Sequence, residues 1–408
     1  MADVVKYGRC IISLIKLAFG DDGYKCSNFD NIDYDLLLEL SSRHNVANIC
    51  YKGLEQVCDL GVEIPNSALS KFKDVYESSI IRDRVQRYHM GLVSQLFQMN
   101  GIYHCVLKGL KIKEYYPESW MRTTGDIDML VLTCKEPKAL SLKMQEHIKS
   151  IMVELGFECE RFGTSNEDTY VLHDKKCGDI HVDMHRYLVP EEKIGYDACS
   201  EIEDRLIQEN KQNPYRLVMT NEDFYLMMIS HFAKHMAGSG AGIRFLLDVY
   251  VFNKQVSVDK ELLQERLKNA KLDVFENRVR SAVDVLFYEK TPCDLDKQFI
   301  KYVFMSGVFG TREQTANSVY NKFGGENSNK LSIMIRHYFK NFFMPYEYMK
   351  AKFPVLEKAP ILLPAYWIYR GCYGLADKGK RRAFVGLIEG VELEEAKMIG
   401  EFKKAIGI

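Results

Sequence analysis

Apolar residues recur at helical spacing over most of this chain and at strand spacing in one stretch between residues 100 and 190. Residues 1–98 read as helices: Leu36, Leu37, Leu38 and Leu40 and the long run 67–99 carry apolar positions three and four apart with few breakers. The turn Asn100-Gly101 ends this region. The period then changes. Residues 102–107 form a short apolar run and predict a strand, after which Lys108-Gly109 turns the chain into a short helix over 110–116, stopped by Pro117. Residues 127–132 predict a second strand. Pro137 suits the first turn of a helix running to Leu155, with Gly156 as its stop. Residues 157–161 predict a third strand, and 169–173 with 179–187 a hairpin across the polar turn 174–178. The polar stretch 209–214 reads as a linker, followed by helices to about Phe309. A breaker cluster at 323–329 precedes a last, mostly helical region. The expected units are 1–98, 99–208, 215–320 and 330–408, without internal repeats.

Composition narrows the class. With 408 residues, 47% apolar and 27% charged, the chain has material for a large core and more than one packed unit. A net charge of -1 excludes the strong basic field of a non-specific nucleic-acid binder. The 11 cysteines include no Cys-x-x-Cys pair, which excludes a zinc ribbon and suits a reducing, cytoplasmic setting. The first helix carries Asp3, Lys6, Arg9 and Lys16 and is expected to be amphipathic, not a signal peptide. The apolar stretch 359–369 holds two prolines and is too short to span a bilayer. Near the end, Phe339, Phe342, Phe343, Tyr346, Tyr348, Phe353, Trp367 and Tyr369 alternate with lysines and with the run 378–382. Such a stripe is expected to be core with a solvated rim, with a membrane surface or RNA as the alternative.

The chemistry concentrates on two strands. In Gly125-Asp126-Ile127-Asp128-Met129, residues two apart share a face, so Asp126 and Asp128 point together while Ile127 and Met129 point into a core. Two such carboxylates suit magnesium or manganese better than zinc. Gly125 leaves room for a ligand. In His181-Val182-Asp183-Met184-His185, alternation puts His181, Asp183 and His185 on one face. Asp183 becomes a third carboxylate if the two strands are neighbours; His185 then has access to phosphate, and His181 and His185 equally suit an ordinary polar face. Lys108, Gly109 and Arg122 are candidates to hold phosphate. Thr220 is placed to cap a helix in which His231 and His235 lie one turn apart. Phe232 stands where a zinc-protease motif needs glutamate, so these histidines either pack or line a cleft, and Lys234 faces phosphate or solvent. Arg244 and Asp248, one turn apart, are expected to pair.

Together these residues resemble the polymerase-beta-like nucleotidyltransferase superfamily: a glycine turn at Gly109, an acidic pair at Asp126 and Asp128, a third acid at Asp183. The pattern is similar to a bacterial family of uncharacterised nucleotidyltransferases, carried by Leu107-Lys108-Gly109, Tyr115-Tyr116-Pro117, Arg122, Gly125-Asp126-Ile127-Asp128, Val182-Asp183-x-His185 and Arg244-x-x-x-Asp248. Leu110 departs from the superfamily, where a glycine or serine often follows the turn glycine. The resemblance implies an α+β fold, with a small mixed, palm-like sheet flanked by N-terminal and C-terminal helical regions. It implies a metal-dependent enzyme moving a nucleoside monophosphate from a triphosphate, ATP first, to a hydroxyl of an unidentified acceptor. Asp126, Asp128 and Asp183 would hold the ions, and Lys108, Gly109, Arg122, Gly125, His185 and Lys234 would hold the nucleotide. An inactive nucleotide-binding relative and an adaptor are the alternatives.

Overall fold

The computed structural model describes residues 2–20, 29, 31–132, 141–163, 166–188, 201–238, 240–307, 336, 339, 342–353, 355–376 and 393–408. Its centre is a seven-stranded mixed sheet of order β3-β4-β5-β2-β1-β7-β6. The strands are β1 Tyr103–Val106, β2 Asp126–Leu132, β3 Glu158–Arg161, β4 Glu167–Asp174, β5 Gly178–His185, β6 Ile207–Gln208 and β7 Arg216–Val218. Helices lie at both ends of the chain, as the α+β expectation has it.

Alternation along β2 gives the sheet two unlike faces. Ile127, Met129 and Val131 join Val182 and Met184 of β5 in a core closed by the long helix Asn66–Met99 and by Leu142–Glu154. Leu130 and Leu132 turn the other way, into a smaller cluster with Cys105, Leu107 and Leu217. Asp126 and Asp128 share that second face. β2 and β5 run parallel with Asp126 opposite His181, Asp128 opposite Asp183 and Leu130 opposite His185. The neighbour relation that Asp183 requires is therefore met.

One arginine pins this pairing at its entrance. Arg82, on the long helix, donates to the carbonyls of Thr124 and Gly125 before β2 and of Cys177 and Asp179 at the start of β5, at 3.0 to 3.4 Å. Gln86, one turn on, donates to Thr124 O as well. The same helix holds the segment between β1 and β2 through a buried ion pair, Lys113 to Asp83 at 2.9 Å, with Ser119 donating to Asp83.

The N-terminal helices and the helices after the sheet share one core: Ile11, Leu14, Ile15, Leu54 and Phe72 pack in the same cluster as Phe232, Leu246, Phe275 and Phe299. Several expectations shift. The first helix, Ala2–Ala18, is amphipathic as expected, with Tyr7, Cys10, Ile11, Leu14 and Ile15 buried and Lys6 and Arg9 exposed, but Lys16 is buried and reaches Glu289 at 2.8 Å. The stretch 209–214 is no linker but the connection between β6 and β7, and β7 pairs with β1. These strands have two and three residues, too short for periodicity to register. The helix expected from Pro137 spans Leu142–Glu154, capped by Ser141; Pro137, the cluster 323–329 and the basic run 378–382 lie outside the described residues. Phe343, Tyr348 and Tyr369 are exposed, so the C-terminal aromatic stripe is not simply core.

Several histidines are buried uncharged. His44 accepts from Ile243 N–H at Nδ1 and approaches Phe304 O at 3.2 Å through Nε2; burial pushes it down to about 4. Burial does the same to His104, whose Nε2 lies 2.7 Å from Ser94 Oγ. An unfolded histidine titrates near 6.5, so below that pH the unfolded chain binds protons that these folded groups refuse. Their contribution to stability is therefore complete above about pH 6.5 and falls as the pH drops toward 4, by roughly 1–3 kcal/mol per histidine. Urea midpoints between pH 7 and 4.5 are expected to fall steadily, and His104→Phe should flatten the slope; an unchanged slope would contradict buried, uncharged histidines.

Candidate active site

A pocket with about 940 Å³ of free space, its open mouth included, lies where the second face of β2 meets the helices Asn221–Ala237 and Ile243–Gln255. Lys108, Gly109, Ile112, Arg122, Thr124, Gly125, Asp126 and Asp128 line it from the sheet side. Met228, His231, Phe232, His235, Arg244, Phe245, Asp248 and Val249 line it from the helices.

Asp128 is the electrostatic focus. His185 Nε2 lies 2.8 Å from one carboxylate oxygen and donates to it; Lys108 Nζ sits 3.5 Å from the other. Burial alone would raise its pKa, but the Lys108 charge and the His185 bond outweigh this and hold it down to about 2. Asp128 is ionised at any physiological pH. Asp126 is exposed at the rim, and beside it Gly125 has open space where a side chain would stand. Asp183 accepts from the Thr169 hydroxyl of β4 at 2.6 Å, and burial raises its pKa.

Among the described residues no group of three His, Cys, Asp or Glu side chains is placed to hold a metal by itself. Magnesium is commonly bound by one or two carboxylates completed by substrate phosphates and water, not by an all-protein cage. Asp126 and Asp128, two oxygen-donor side chains on one strand face beside a pocket, fit an ion of that kind.

The remaining residues divide. Gly109 lines the pocket and is also required by packing: a Cβ there would meet Thr124 Oγ1 at 2.7 Å, and that hydroxyl donates to Asp126 O. The helix it starts, Lys108–Lys111, is one turn long, so Lys108 acts through its amine more than through a helix dipole. Leu110 packs against the core behind the sheet. Arg122, expected at phosphate, gives its fork to Asp248, with Nε to Oδ1 at 2.8 Å and Nη2 to Oδ2 at 3.0 Å. The Tyr116 hydroxyl donates to the same carboxylate at 2.7 Å. Tyr116, Arg122 and Asp248 thus form one buried knot joining the helices to the sheet, and Asp248 does not pair with Arg244. His185 serves Asp128, and Asp183 and His185 sit one strand outside the pocket lining. Lys234 is exposed and outside that lining, whereas His231 and His235 are in it. Both are kept uncharged by burial and by Lys108, His235 at about 4. Arg244 and Thr124 belong to the pocket without having been singled out as site residues. The Arg244-x-x-x-Asp248 spacing was a signal, but it suggested the wrong partner.

A paired-carboxylate strand in a mixed sheet, facing a pocket roofed by helices, is the arrangement expected of a nucleotidyltransferase-type domain. The family model described as uncharacterised nucleotidyltransferase matches residues 30–287, more than half of the chain, and the chain belongs to this family. No curated protein and no solved structure matches it.

Removing Arg122 leaves the buried Asp248 carboxylate without its counter-charge. Arg122→Ala is expected to cost about 3–5 kcal/mol in chemical denaturation, and Arg122→Met with Asp248→Leu distinctly less. Equal losses in both would show that the pair contributes only side-chain volume.

Proposed function

We propose that the chain is a metal-dependent nucleotidyltransferase that moves a nucleoside monophosphate from a nucleoside triphosphate, ATP first, to a hydroxyl of an acceptor. The observation that carries this reading is the placement of Asp126 and Asp128 on one face of β2 at the pocket, with Asp183 in register beside Asp128. Membership of a nucleotidyltransferase family supports it.

In this reading Asp126 and Asp128 would hold magnesium or manganese together with the nucleotide, and that ion would supply charge neutralisation at the departing pyrophosphate and acidity at the acceptor hydroxyl. Lys108, in the pocket lining 3.5 Å from Asp128, is the amine available to a phosphate there. His185 keeps Asp128 oriented from below. The acceptor oxygen forms its bond to the α-phosphorus as the bond from that phosphorus to the β-bridging oxygen breaks, and pyrophosphate leaves. The acceptor's proton would pass to the Asp183 carboxylate, which borders the pocket through its register with Asp128 and whose Oδ1 is held by Thr169. Ile112, Met228 and Phe232 give the pocket an apolar wall that limits water.

A second reading, nucleotide binding without transfer, is favoured by one observation: both oxygens of Asp128 are already engaged, by His185 and Lys108. The two readings separate in one assay. Each of the four triphosphates, labelled at the α-phosphate, is incubated with magnesium or manganese and pools of hydroxyl acceptors while pyrophosphate is measured. Label transfer is expected, and Asp128→Asn should lower it roughly a hundred- to thousandfold with an unchanged circular dichroism spectrum. Binding without pyrophosphate release would favour the second reading; no nucleotide binding with metal present would remove both.

A further inference from the structure

The helical wall of the pocket holds a cation without a counter-ion. Arg244 is the second residue of the helix Ile243–Gln255 and lines the pocket. Asp248, one turn on, would be its natural partner, but both oxygens of that carboxylate are held by Arg122, and Tyr116 donates to it too. Arg244 forms no ion pair among the described residues. Its Nη1 reaches only neutral acceptors: Thr123 O at 3.4 Å and, with the Asn45 amide turned so that its oxygen faces the arginine, that oxygen at 2.9 Å. Its Nε is sealed from solvent with no hydrogen-bond partner. Burial, with Arg122 close by, drives its pKa down to about 9. An uncompensated buried guanidinium is costly, and the cost is offset when an anion enters.

A second feature points to the same ligand. His231 and His235, their rings 4.4 Å apart, line the wall uncharged, so each keeps a ring N–H to donate without adding to the repulsion. The guanidinium and two neutral donors make a receptor for phosphate oxygens, not for a base or a sugar.

We infer that Arg244 is the clamp for the β- and γ-phosphates of the nucleotide, so that the helical wall reads the length of the phosphate tail while the β2 carboxylates face the reacting α-phosphate. This rests on the proposed function for the identity of the nucleotide, but the anion site itself can be tested without transfer. The probe is inorganic tripolyphosphate with magnesium, titrated by calorimetry into the full chain, alongside ATP and AMP. The wild type should bind tripolyphosphate and ATP. Arg244→Gln should weaken both tenfold or more and change AMP affinity by less than twofold, and Arg244→Lys should recover part of the loss. Without ligand, Arg244→Met should unfold at or above the wild-type temperature, since a charge without a partner has been removed.

The inference is overturned if the wild type does not bind tripolyphosphate, or if Arg244→Gln binds it as tightly. It is equally overturned if ATP and AMP weaken by the same factor, or if Arg244→Gln, Arg244→Lys and Arg244→Met all fail to fold, which would make Arg244 a structural residue. Arg244-dependent tripolyphosphate binding with no transfer from any nucleotide would sink the proposed function and keep the clamp. Transfer unaffected by Arg244→Gln would sink the clamp and keep the function.

Discussion

Everything at the candidate site depends on the parallel pairing of β2 with β5. A strand turns over when its register slips by one residue, so the register Asp128 opposite Asp183 decides whether the acidic side chains share a face or are split between the pocket and the core. Two forces fix it. Ile127, Met129, Val182 and Met184 are buried on the opposite face and would have to enter the pocket if the strands slipped. Arg82, reaching from the long helix, binds carbonyls at the entrances of both strands and so ties their starting points to each other.

Around that register several buried charges are arranged in compensated pairs. Asp128 is balanced by Lys108 and His185, Asp83 by Lys113 and Arg87, Asp223 by Arg205 and Arg266, and Asp248 by Arg122. Buried ion pairs are costly to break and specify where their elements sit. Those of Asp83 and Asp248 attach the segment between β1 and β2 to the long helix on one side and to the pocket helices on the other. Among the described residues Arg244 and Lys403 stand outside this pattern; Lys403 donates to the carbonyls of Ala237 and Gly238, and Arg244 is the one of the two that lines the pocket.

Much of this was legible in the chain. The strong period-two runs gave β1 to β5 within a few residues, and alternation alone placed Asp126 with Asp128 and His181 with Asp183. Thr220 does cap the helix after it, its hydroxyl accepting from Asp223 N–H. What the sequence hid is long-range or short-lived. The partner of Arg122 lies 126 residues away, and no local spacing points to it, whereas Arg244 at four residues was the obvious but wrong choice. β6 and β7 carry too few residues to show a period. At Gly109 the sequence could not show the Thr124 hydroxyl that also demands a glycine there. The burial of Lys16 was hidden too, since its partner Glu289 lies far along the chain.

The central claim is that the paired carboxylates of β2 are where a divalent ion and a nucleotide meet. A crystal structure with manganese and a non-hydrolysable ATP analogue, its anomalous signal locating the ion, tests this most directly. Manganese in contact with Asp126 and Asp128, with the analogue's phosphates in the same pocket, is the predicted result. Manganese bound elsewhere, or an analogue seated away from β2 while Lys108 remains on Asp128, would contradict the account.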